Sequence, residues 1–164
     1  MASASTIESI AAQWRTLIDP FAGDAALAQN ASNARFVNPA AYHVNNAANA
    51  VVSFVVTGEG EAAASKEMDD LARLFALRTT APSISLDCFL QLRNLVAQQA
   101  SALFPSEEEQ AEALKRADQC LLYTFDVFVQ SREKLGAIAL EELKKRNDML
   151  EKLNSESYAK AGGL

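Results

Sequence analysis

No proline follows Pro105, and from Ser106 to Tyr158 the chain is a single run dominated by helix-forming residues. Proline in a helix interior costs about 3 kcal/mol, so the backbone chemistry sets no stop to one long helix here. At about 1.5 Å per residue such a helix would measure roughly 80 Å. A compact chain of this length has a radius of gyration of about 15 Å, so an unbroken helix must leave its globule. Residues 120–130, CLLYTFDVFVQ, are apolar on nearly all sides and are expected to sit in the core. After Ser131 the charges return. Glu141–Lys145, Glu142–Arg146 and Asp148–Lys152 stand four apart in the favourable order for an exposed helix. Leu140, Leu143, Asn147, Leu150 and Asn154 follow the 3,4 spacing of a short coiled-coil seam, in which Asn costs stability and fixes register and strand number. The pattern predicts a helical domain over residues 1–135, an extension with a short tail over 136–164, and a homodimer held by the seam. A helix that kinks at Gly136 and folds back over its own domain is the alternative reading.

The upstream segments predict an all-α bundle of about five helices. Ser5 and Glu8 fit a capping box, Ile7, Ile10, Ala11, Trp14, Leu17 and Ile18 recur at helical spacing, and Asp19–Pro20 is expected to close that helix. Gly23 then opens a loop-like stretch to about residue 33. Asn38 and Pro39 read as N-cap and first position of a second helix. Its inward face is Ala41, Val44, Ala48, Val51 and Val55, and Gly58 suits the left-handed position after its end. A third helix runs from about Glu61 to Leu77, with Met68, Leu71, Ala72 and Phe75 inward. Pro82–Ser83 opens a fourth, with a broad face of Leu86, Phe89, Leu90, Leu92, Leu95 and Val96, which Phe104–Pro105 stops. Ser106 with Glu109 is a second capping box. No strand alternation and no internal repeat is present.

Charge and composition exclude several classes. A net charge of -6 with no concentrated basic patch argues against duplex nucleic acid. The most apolar window, residues 50–56, is far too short to span a bilayer, and the N-terminus lacks the basic and apolar regions of a secretory signal. Cys88 and Cys120 lie far apart and read as buried thiols in a reduced, cytoplasmic setting.

The second helix carries the oddest surface. Residues 36–58 contain no Asp, Glu, Lys or Arg. Opposite its valines stand Tyr42, Asn46, Asn49 and Ser53, with His43 beside them. A polar, uncharged face suits a subunit interface or a lined cavity, where charges would be costly to desolvate. An alanine-rich helix with solvated Asn is the plain alternative. His43 is the single histidine, so a site of several His is impossible, and no cluster of His, Cys and carboxylate appears at ligand spacing along the chain. One His could hold a haem iron, although a hydrogen-bonded interface or surface His explains it as well. No nucleophile is singled out, and neither a C-x-x-C pair nor a phosphate-cradling glycine loop occurs. Asp126, the one charge in an apolar turn, is expected to be a buried carboxylate paired with Arg35, Arg93 or Arg132. Neither a metal, a cofactor nor an enzymatic reaction is expected.

Four segments together resemble the RsbRD N-terminal domain family. They are IESIAAQWRTLI with Trp14; RFVNPAAY with Arg35, Phe36, Asn38 and Pro39; LARLFALRTTAPS leading to Pro82 and Ser83; and FDVFVQSREKLGAI with Asp126, Arg132 and Glu133. They span about residues 4–146 in the family's order. The resemblance implies a globin-like fold without haem, dimerisation, and a C-terminal helix that carries a signal to an output domain in stress signalling. The sequence departs from the pattern at Arg78, where a Gln is expected, and by ending at Leu164 without the STAS domain that usually follows. A stand-alone member would act through a partner protein. Some such relatives are encoded beside membrane redox complexes of sulfate reducers, which makes a redox-complex protein one expected partner. The rival expectations are a globin-type binder of haem or another small hydrophobic ligand, and a ligand-free structural adaptor.

Overall fold

A computed structural model describes residues 4–22 and 39–161. Among them the chain is all-α: α1 (Ala4–Ala22), α2 (Pro39–Thr57), α3 (Glu61–Ala76), α4 (Pro82–Ser85), α5 (Asp87–Gln98), α6 (Ala100–Leu103) and α7 (Glu107–Ala161). The chain divides into two units, Met1–Val129 and Gln130–Leu164.

In the first unit α2 is the central element, packed on both α1 and α3, while α1 also meets α5. Ala41, Val44, Ala48, Val51 and Val55 are wholly buried, joined by Ala47 and Val52. Burial this broad leaves α2 only a narrow outward strip, which fits its lack of charge. Trp14 anchors α1: its ring meets Phe89 edge-on at 5.3 Å, and its indole N–H donates to the Cys88 carbonyl at 2.6 Å. Gly58 ends α2 at φ 79, donating its N–H to the Phe54 carbonyl at 2.8 Å. Glycine accepts that left-handed conformation without the Cβ penalty.

Several boundaries differ from the sequence expectation. α1 begins at Ala4, before Ser5, and continues through Asp19–Pro20 to Ala22. The expected fourth helix is three pieces, with breaks at Leu86 and Gln99. The loop-like stretch from Gly23 lies outside the described residues. So do Arg35, Phe36 and Asn38; Pro39 is the first residue of α2.

The expectation for residues 120–130 holds on one face only: Cys120, Thr124 and Phe128 are buried, and Leu121, Val127 and Val129 pack against the core. The buried face of α7 is Ala113, Ala117, Cys120, Thr124 and Phe128, a single stripe at helical spacing. The bulky Leu122 (64% exposed), Tyr123 and Phe125 (42% exposed) point outward on the other face. Apolar content alone misled, because it does not say which face of a helix packs. The Thr124 hydroxyl, buried, donates to the Cys120 carbonyl at 2.7 Å.

α7 is one helical segment of 55 residues that passes through Gly136. Ser106 caps its start, its hydroxyl accepting the Glu109 N–H at 3.2 Å. Within the second unit every described side chain from Glu133 to Glu156 is exposed, and Lys145 lies 2.8 Å from Glu141 as the i,i+4 pattern predicts.

Candidate functional site

The residues named from sequence fall into three places. The α2 strip comes first. Tyr42, His43, Asn46 and Ser53 are half-buried and Asn49 is exposed. His43 does not stand alone on an uncharged face. It reaches across to α3, where its Nδ1 lies 3.6 Å from Asp70 Oδ2. The imidazole edge also meets the Tyr42 ring, with centroids 5.5 Å apart. Glu67, one turn earlier on α3, brings a carboxylate oxygen into the same space, so that His43, Glu67 and Asp70 each place a ligand-capable atom within 4.8 Å of the others. Linear spacing hid this group, because the histidine and the carboxylates belong to different helices. The i,i+3 interval of Glu67 and Asp70, which puts both on one face of α3, was the one local hint.

Around this group α3 carries its own charge network. Lys66 Nζ lies 3.1 Å from Glu67 Oε1 and 3.9 Å from Asp70 Oδ2. Arg73 lies 3.5 Å from Asp69 and 3.7 Å from Asp70 Oδ1. The Tyr123 hydroxyl of α7 donates to Asp69 Oδ1 at 2.7 Å, and that bond raises the phenol's pKa. The carboxylate raises the Lys66 pKa in the same way, chiefly through its hydrogen bond with Glu67.

The second place is an apolar groove of about 570 Å³ where α4 and α5 face α7. Leu86, Leu90, Leu121, Leu122 and Phe125 form its walls, with Pro82 and Asp87 at its edge. Pro82, singled out as a helix start, thus also borders a cavity. Leu90, expected inward, instead belongs to this outward surface.

The third place is the seam. Leu140, Leu143 and Leu150 are all exposed, as are Asn147 and Asn154. Ile138, Met149 and Leu153 are exposed as well, but helical spacing places them off the face that carries the seam.

Asp126 is an exposed residue, not a buried carboxylate. It occupies the outward face of α7 along with Leu122 and Phe125. Of its proposed partners, Arg93 pairs with Asp118 at 2.9 Å, Arg132 is half-buried on α7, and Arg35 is outside the described residues. The two thiols are free and buried. Burial pushes each up to about 12, far above an ordinary thiol, which keeps both neutral and unreactive at physiological pH. Among the described residues no helix is long and apolar enough to cross a membrane.

Comparison with protein-family models, with curated proteins and with solved structures finds no match.

Proposed function

We propose that this chain is a non-enzymatic regulatory module that works as a homodimer and signals to a partner protein through the last part of α7. The carrying observation is the row of exposed Leu140, Leu143 and Leu150, with Asn147 and Asn154 interleaved. A lone helix in water gains little from such side chains, and most helical stability comes from packing an apolar face. Association with a second helix would bury that face. The two Asn would then select register and strand number. In a parallel pair, Arg146 precedes one of these Asn and Glu151 follows Leu150, so opposite charges would flank the seam. The likeness to RsbRD-type sensory domains supports the same reading, with the helical domain as input and α7 as output, and a stress-signalling or redox-complex protein as the receiver.

The test is the mass in solution of the full chain and of a chain ending at Gly136. The expected result is a dimer that becomes a folded monomer which no longer engages its partner. A full chain that is monomeric, or truncated and full-length chains that bind a partner equally well, would overturn the reading.

A second reading, a binder of a small hydrophobic ligand, is favoured by the groove of Leu86, Leu90, Leu121, Leu122 and Phe125. An apolar guest there would raise the melting temperature, because it binds only the native state. Haem as the guest draws no support from that groove, whose lining offers no imidazole.

A further inference from the structure

We propose that His43, Glu67 and Asp70 form a binding site for a divalent transition-metal ion, best matched by Zn²⁺. Two atoms of this group break an otherwise general rule. Buried polar atoms in folded proteins nearly always have a hydrogen-bond partner. Yet His43 Nδ1 and Glu67 Oε2 are both shielded from solvent and have none. The 3.6 Å between Nδ1 and Asp70 Oδ2 is too long for a hydrogen bond. It is close to the edge of a tetrahedron around zinc, about 3.4 Å for ligand bonds near 2.1 Å. One ion would satisfy both orphaned atoms at once.

The surrounding charges leave the right oxygens facing inward. Glu67 is 9% exposed overall and 12% over its side chain. Its Oε1 is held by Lys66 at 3.1 Å, which leaves Oε2 for the ion. Asp70 has Oδ1 near Arg73, at 3.7 Å, and Oδ2 toward the histidine. Outer partners of this sort orient ligating carboxylates in metal sites. Lys66 also stands 3.9 Å from Asp70 Oδ2. Its side chain is 71% exposed, so the ammonium has room to move aside when a second positive charge enters. His43 and Asp70 keep 30% and 25% of their side-chain surface open, which gives an ion a path in and water the remaining coordination position.

The donor set decides the metal class. Calcium and magnesium take oxygen ligands, whereas an imidazole suits zinc, copper, iron and nickel, and zinc also accepts carboxylate oxygens beside it. With one nitrogen and two oxygens from the protein, the site is an open three-ligand type.

The test uses the untagged full chain, freed of metal by chelation, titrated with Zn²⁺ by calorimetry and with Co²⁺ by visible absorption. The expected result is one ion per chain, with the intense visible bands of four-coordinate Co²⁺. His43→Gln and Asp70→Asn should each weaken binding by at least about tenfold, the lower end of what loss of an outer partner costs. Both positions are partly exposed, so the metal-free variants should keep the wild-type circular dichroism, which separates loss of a ligand from loss of the fold. Absence of saturable binding, or binding that survives both substitutions unchanged, would overturn the proposal.

Discussion

Arg116 of α7 closes the end of α2. Its Nε–H donates to the Val55 carbonyl at 2.9 Å and its Nη2 to the Val56 carbonyl at 3.2 Å. The last carbonyls of a helix have no partner within it, and a positive charge there opposes the negative end of the helix dipole. One side chain thereby joins the first turns of α7 to the central helix of the bundle. Hydrogen bonds from a charged donor contribute about 1.5–3 kcal/mol each. Arg116→Met removes both bonds and should therefore lower unfolding free energy by about 3 kcal/mol or more, read from a denaturant titration. Gly58→Ala should cost about 1 kcal/mol at the same helix end, since φ 79 strains any residue with a Cβ. The two losses should depart from additivity, because a Cβ on Gly58 would touch the Arg116 guanidinium at 3.5 Å.

Trp14 tests the opposite side of the core. Trp14→Phe keeps an aromatic ring against Phe89 and removes the 2.6 Å bond to the Cys88 carbonyl. The Cys88 carbonyl lies in α5, so this bond fixes how α1 sits on that helix. The loss combines a hydrogen bond with a small cavity, about 2–3 kcal/mol in all. A melting temperature unchanged by this substitution would show that the indole N–H contributes nothing.

The buried thiols give a pH dependence with a definite sign. In the unfolded chain Cys88 and Cys120 lose their protons near 9, and in the folded chain near 12. Above pH 9 the unfolded state binds fewer protons than the native state, so unfolding becomes easier as pH rises. The contribution of both residues is fully present below pH 9 and is lost as pH climbs from 9 toward 12. Replacing both by Ala should flatten this part of the stability curve. In the wild type, a thiol reagent at pH 8 should label neither cysteine until denaturant is added.

Most of the local architecture was legible in the sequence, and the long-range assembly was not. The valine face of α2, the turn at Gly58 and the Ser106 cap depend on neighbours within a few residues, so periodicity and side-chain chemistry reveal them. Leu122, Phe125 and Asp126 were misplaced because hydropathy counts apolar residues without asking which face packs. Ala113, Ala117, Cys120, Thr124 and Phe128 occupy the inward face, while Leu122, Tyr123 and Phe125 face outward. The meeting of His43 with Glu67 and Asp70 follows from how α2 packs on α3, which no linear interval records. The exposed helix over residues 140–154 could be read directly, because its i,i+4 charge pairs are local, as the Lys145–Glu141 pair shows.

The seam yields the sharpest mutational forecast. Leu143→Glu with Leu150→Glu places like charges at two positions that a paired helix would bury. Desolvating them facing identical copies is unfavourable, so the double variant should be monomeric at concentrations where the proposed wild-type dimer forms. Because both side chains are exposed within their own chain, the residues before Gln130 should retain their stability, which separates lost association from misfolding. Asn147→Leu should act in the other direction. Removing an interior amide from the seam should raise the dimer's melting temperature while letting trimers or tetramers appear in sedimentation. Salt should weaken the wild-type pair modestly if Arg146 meets Glu151 of the second copy, and Glu151→Lys should reverse that dependence, since salt then screens a repulsion between like charges. A mass in solution that none of these substitutions changes would show that Leu143 and Leu150 hold no second copy of this chain.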